Sequence, residues 1–216
     1  RGQTRTSERC SFSPIDVVTR REIAVDEQLT TLNLISLSGL TTYEYLLYGL
    51  PDDERRNDGR LRDKWLNRYS TLEDGGWWSS GLDPLNNWLP MIWGRYKPDN
   101  PRIIGSKGKP IRYESPPKVA NRVTYFNVPQ HIWDKVAQRY GIKRYLSPLA
   151  QRLTARTKPL CFWEWVQQHP EIPIILTEGE KKAACLLSMG FVAIALPGIW
   201  NGRVGKKERE RLHPDL

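Results

Sequence analysis

Two aliphatic runs separated by one amphipathic segment, between residues 172 and 196, constrain the fold of this chain more than any other feature. Ile172–Leu176 (IPIIL) reads as a buried strand, since β-branched residues in a short run fit a packed, pleated surface. Glu180–Met189 predicts a helix closed by Gly190. Phe191–Leu196 (FVAIAL) predicts a second buried strand, which Pro197-Gly198 ends. Strand, short helix, strand is a βαβ unit, with parallel strands and a right-handed crossover. One such unit cannot bury both faces of its sheet, so more strands must precede or follow it. After a basic stretch from Arg203 to Arg211 the sequence stops at Leu216, and the expectation is an α/β domain left incomplete.

Upstream the pattern is less regular. Residues 1–20 are polar, basic and rich in Ser and Thr, and read as a lead-in. Apolar content rises from Ile23 to Leu50 without separating helix from strand. Pro51–Gly59 (PDDERRNDG) is a charged turn. Leu61, Trp65, Leu66 and Tyr69 then fall on one face of a short helix, which Asp74-Gly75-Gly76-Trp77-Trp78 breaks. The many prolines, glycines and lysines of residues 84–118 predict loops and short strands. Gln130–Tyr140 predicts a helix with Ile132, Trp133, Val136 and Tyr140 on its apolar stripe and Gly141 after its end. Phe162–Gln168 predicts another, stopping at His169-Pro170. The expected organisation is a lead-in at 1–20, a basic, Trp-rich, irregular α+β module at 21–160, and the parallel βαβ unit at 161–216.

The chain carries 33 Lys and Arg against 24 Asp and Glu, a net charge of +9. That balance suits a polyanionic partner, because phosphates neutralised by cations release condensed counterions. Cys10, Cys161 and Cys185 are widely spaced with no CxxC pair, which argues against a disulfide scaffold or zinc ribbon and fits the reducing cytoplasm. No apolar run approaches the roughly 18 residues that would span a bilayer, so no membrane partner is expected.

Chemistry is expected at the turn Thr177-Glu178-Gly179-Glu180-Lys181-Lys182. In α/β sheets, functional groups collect at the carboxyl ends of parallel strands. Glu178 sits at such an end, and Gly179 permits the tight turn into the helix. A carboxylate there can act as a general base or help hold a divalent cation. Glu178 and Glu180 also complement the positive end of the helix dipole, a purely structural role.

The string from Ile172 to Gly179, followed by a helix and Ala193-Ile194-Ala195-Leu196-Pro197-Gly198, resembles the opening of a TOPRIM domain. TEGEKKAACLLSMGFVAIALPGIWNG is similar to the replication proteins of cyanobacterial plasmids, the RepA-like family, which carry a TOPRIM-like primase domain. The resemblance extends to RRNDGRLRDKWLNRY, GGWWSSGLDPL, WGRYKPDNPR and KPIRYESPPK, and covers most of the chain from about Ile35. It implies magnesium-dependent nucleotidyl transfer, with Glu178 as catalytic and metal-shell carboxylate and Glu180 as a second candidate. Gly179, Lys181 and Lys182 would form the turn and its phosphate contacts. Lys182 stands where many TOPRIM domains carry Asp, and the family's Asp-x-Asp ligands belong to a later strand. Magnesium is therefore expected only in an intact domain.

Basic side chains interleaved with aromatics can track a phosphate backbone and stack bases. Arg55, Arg56, Arg60, Arg62, Lys64 and Arg68 lie near Trp77 and Trp78 in sequence. Arg95, Lys97, Arg102, Lys107, Lys109 and Arg112 lie near Trp88 and Trp93. Such runs are also found on merely solvated faces. No G-x-x-x-x-G-K-[ST] loop and no His-x-His pair is present, which sets aside an ATP-driven motor and a rolling-circle nickase for this segment. The expectation is a plasmid replication protein with primase-like activity on DNA, taking nucleotides as substrates. The rival expectation is a non-catalytic initiator that binds DNA and docks a helicase.

Overall fold

A computed structural model of the protein describes residues 25–105, 108–142, 160–206 and 209–216. The lead-in at 1–20, Cys10 and Lys107 lie outside the described residues. The architecture is mixed α and β, with small sheets.

The ambiguous apolar stretch resolves into three elements. Helix α1 (Glu27–Asn33) is capped by Asp26, whose carboxylate accepts from the Leu29 amide at 3.0 Å. Strand β1 (Leu34–Leu37) and helix α2 (Thr41–Leu46) follow. Helix α3 (Asp63–Tyr69) is the amphipathic segment expected from its spacing, and it buries Trp65 and Tyr69.

The Gly75-Gly76-Trp77-Trp78 segment does more than end that helix. It opens strand β2 (Gly76–Asp83), which pairs antiparallel with β1 and with the long strand β3 (Leu89–Pro98). The proline-rich region therefore contains a ten-residue strand where only short ones were expected. Gly94 explains the close packing there, since a Cβ on it would lie 2.5 Å from the Trp78 ring. Trp78, Tyr96, Leu72, Leu46 and Tyr43 then fill one core, and the Tyr96 hydroxyl donates to the Leu72 carbonyl at 3.0 Å. Short strands β4 (Ile103–Ile104) and β5 (Lys109–Pro110) form a small hairpin.

Helix α4 (Gln130–Arg139) and helix α5 (Phe162–Gln167) appear where the sequence placed them. Gly141 follows α4 with φ 69°, the left-handed conformation that favours glycine. Cys161 caps α5, and its amide donates to the Glu164 carboxylate at 2.6 Å in a reciprocal capping box. Burial pushes the Cys161 thiol up to about 11, which leaves it an inert cap rather than a nucleophile.

The βαβ unit is present: β6 (Ile174–Glu178), α6 (Glu180–Ser188) and β7 (Val192–Leu196), with the two strands parallel and in register from Ile174↔Val192 to Glu178↔Leu196. Strand β7 is buried throughout, but β6 is not, which corrects the reading of both runs as buried. Ile174 and Leu176 are 47% and 50% exposed. The reason is position: among the described residues β6 pairs with β7 alone, and Ile174 and Leu176 line an open cavity with Trp163, Val166 and Trp88 rather than a packed core. Part of the expected further sheet comes from upstream. Thr124 bridges Ala195 antiparallel, and Tyr125 bridges Leu82 at the end of β2. One core accordingly takes Leu29, Leu82, Phe126, Ile132, Trp163, Leu187 and Ile194 from both the upstream module and the βαβ unit. A final hairpin joins β8 (Arg203–Val204) to β9 (Arg211–Leu212).

Candidate carboxylate edge and basic surface

Parallel strands end at a common edge, and the chain's candidate chemistry collects there. The Gly179 amide donates to the Leu196 carbonyl at 3.0 Å, closing the turn between β6 and α6. Gly179 has φ 88°, and nothing lies within 4 Å of where its Cβ would be. Backbone conformation, not space, requires glycine at this turn. Glu178 stands beside Leu196 in the register and is exposed. Lys182 is exposed one turn further on, and Lys181 is half-buried.

Glu180 has a different environment from its neighbour. It is 1% exposed, and both its oxygens accept from Nη1 of Arg95 at 3.2 Å. Arg95 also lays its guanidinium over the Tyr113 ring, 4.6 Å from the centroid. Two expectations are corrected together. Glu180, a second catalytic candidate, and Arg95, a candidate nucleic-acid contact, neutralise one another inside the protein. Strand β3 reaches the first turn of α6, and a buried carboxylate there demands a cation.

Arg102 is corrected in the same way. Its Nε and Nη2 hold Glu114 at 2.5 and 3.0 Å, and its guanidinium stacks 5.2 Å from the Tyr69 centroid. Trp77 and Trp78, read as base-stacking residues, are 2% and 1% exposed and belong to the packing of β2. Lys97 is half-buried with its ammonium 5.9 Å from the Trp77 ring. Tyr113 and Glu114 are the partners of Arg95 and Arg102. Arg112 and Lys109 are exposed, and with Arg95 and Tyr113 they line a shallow depression of about 460 Å³.

The first basic group sits among its own acids. Arg56 pairs with Asp63, Arg60 lies 3.8 Å from Asp58, and Arg55 donates to the Gly59 carbonyl at 3.3 Å. Arg68 lies over the Trp65 and Tyr69 rings at 5.9 and 5.4 Å, and Arg62 is exposed at the start of α3. Exposed pairs of this kind are weak and leave the cations available to solvent. Glu54 is the exception. It accepts from Lys64 and from the Trp65 indole N–H at 3.0 Å, and Lys118 lies 3.4 Å away.

Lys64, then the Trp65 N–H, holds the Glu54 carboxyl down at about 2, below its ordinary 4.5. A depressed carboxylate pKa stabilises the fold above its unfolded value and loses that contribution as pH falls through the folded value. Wild-type stability is therefore expected to decline between pH 4.5 and about 2 more steeply than that of Glu54→Gln. Urea unfolding across this range checks it; parallel pH profiles for the two proteins would remove Glu54 as the cause.

For magnesium, the fit is incomplete. Glu178 offers one exposed carboxylate, Glu180 is committed to Arg95, and no group of three or more His, Cys, Asp or Glu among the described residues could hold a metal ion. A complete site needs acidic groups beyond those described. Among the described residues no helix is long and apolar enough to cross a membrane.

Sequence reasoning assigned nothing to Trp200. Of the nine tryptophans it is the most exposed, at 71%, whereas Trp88 is half-buried and Trp65, Trp93, Trp133, Trp163 and Trp165 are buried. Only the exposure distinguishes it, and no sequence signal carries that.

Residues 162–216 match the family described as "Domain of unknown function (DUF3854)". The chain is also similar to an uncharacterized protein of Picosynechococcus sp., 48% identical over 178 residues. That alignment covers 82% of this chain and 17% of the relative, so the chain spans about a sixth of the relative's length. No solved structure matches.

Proposed function

We propose that this chain is part of a plasmid replication protein and supplies the opening βαβ unit of a TOPRIM-like nucleotidyl-transfer domain, primase-like on a DNA template. The observation that carries the reading is the contrast between two neighbouring acids. Glu178 is exposed at the carboxyl edge of parallel strands, and Glu180 is buried against Arg95. The helix-dipole role is filled by the buried acid, which leaves Glu178 facing solvent at an edge where α/β proteins bind ligands. As a general base it would take the proton of an attacking hydroxyl. Magnesium would belong to the complete domain, with Glu178 contributing one of its oxygen ligands.

The test uses the whole gene product, continued beyond Leu216, with template, nucleotides and magnesium. Glu178→Gln is expected to abolish product while template affinity is kept. Equal product from both proteins overturns the catalytic role of Glu178. No product from either assigns the chain to the rival class, an initiator that binds DNA and docks a helicase.

A further inference from the structure

Where β7 ends, the chain runs through Pro197-Gly198 into a short 3-10 turn, Ile199–Gly202, and then into the β8–β9 hairpin. This segment leaves the sheet at the edge that carries Glu178, since Leu196 is Glu178's register partner. Its side chains are unusual for a loop. Ile199 and Trp200 are 68% and 71% exposed, side by side, in a protein that buries most of its other large aromatics. The Arg203 guanidinium lies 4.8 Å from the Trp200 ring centroid and pairs with Glu210, which fixes the ring's back while the other face stays open. Lys206, Arg209 and Arg211 are exposed on the same hairpin.

An open indole beside a cation is an apolar, π-rich surface that any nucleobase can cover. The surrounding charge selects the ligand. Ile199 and Leu212 are exposed there too, but the hairpin that follows Trp200 also exposes Arg203, Lys206, Arg209 and Arg211 against Glu210, an excess of positive charge that complements a phosphate backbone better than an apolar peptide. We propose that Trp200, backed by Arg203 and flanked by the basic hairpin, is a stacking platform for an unpaired base of single-stranded nucleic acid. It would hold the strand at the edge where Glu178 stands. This rests on the nucleic-acid part of the reading above, and not on catalysis.

The experiment titrates the protein into a labelled oligothymidylate of about 12 nucleotides, followed by fluorescence anisotropy at low salt. Because the ring is exposed, Trp200→Ala leaves the core intact, and its unfolding curve should match the wild type. Affinity is expected to fall about 10-fold or more in Trp200→Ala and to stay within about 3-fold in Trp200→Phe, which keeps a π-face. Oligonucleotide should quench indole emission in the wild type and much less in Trp200→Phe. Arg203→Ala should lower the slope of log affinity against log salt by about 1. Affinity for Trp200→Ala within about 2-fold of wild type overturns the platform. So does loss of self-association by sedimentation in Trp200→Ala with oligonucleotide binding unchanged, which would assign the ring to a protein contact. This assay reads binding without nucleotides or magnesium and the Glu178 test reads product, so failure of the catalytic reading and failure of this one give different results.

Discussion

Arg95→Ala is expected to lower the free energy of unfolding by about 3–5 kcal/mol, because it leaves the Glu180 carboxylate buried without its cation. The Glu180 side chain is 2% exposed and Arg95 11%, so solvent cannot replace the lost partner. The cost arises less from the pair's own attraction than from desolvating an uncompensated charge. A double substitution, Arg95→Met with Glu180→Leu, should therefore recover most of the loss, since apolar side chains of similar volume replace buried ion pairs at little cost. Urea unfolding of the two variants measures both effects. A double variant as unstable as Arg95→Ala would show that shape or the Tyr113 stack, rather than charge, holds the first turn of α6.

Asp215→Ala is expected to have a comparable effect, about 3–5 kcal/mol. Its carboxylate is fully buried and accepts from Arg122 Nε at 2.9 Å and from the Val123 amide at 2.8 Å. The Tyr125 hydroxyl donates to the Asp215 carbonyl. These bonds fasten residues 213–216 to the segment 122–125, which is the one that bridges β7 through Thr124 and β2 through Tyr125. Removing the carboxylate leaves a buried amide unsatisfied and takes from Arg122 one of its two acids, the other being Asp83. For a chain of this size the loss corresponds to a fall in Tm of roughly 6–20 °C. Asp215→Asn keeps an acceptor for the Val123 amide and should lose distinctly less. A Tm within about 2 °C of wild type for Asp215→Ala would show that packing alone holds this junction.

The helices and strands of the last fifty residues were legible because their side-chain periodicity is local. Ala183 and Leu187 bury one helical face, and Gly190 ends the segment with φ 80°, as the pattern required. Helix α4 was legible for the same reason, through Ile132, Trp133 and Val136. Strand β2 was hidden because Gly-Gly-Trp-Trp breaks a helix as readily as it starts a strand, and strand propensity depends on a neighbour to pair with. The neighbour is β3, from a region whose prolines pointed to loops and short strands.

At the candidate site the sequence could place Glu178 and Glu180 two residues apart at a strand end, but not say which faces water. That depended on Arg95, distant in sequence, arriving under α6. Two arginines of the second basic cluster are not surface contacts for a related reason. Charge is counted along the chain, whereas its availability depends on partners: Arg95 found Glu180 and Arg102 found Glu114.

By itself the sequence determined the parallel βαβ unit, the glycine turn at its carboxyl edge and the positive charge of the whole, since each follows from local spacing or simple composition. Only the tertiary structure decided which acid is free, which arginines are spent inside, and that Trp200 is the most exposed of the tryptophans. Exposure and ion pairing are relations between residues far apart in the chain, and no local pattern encodes them.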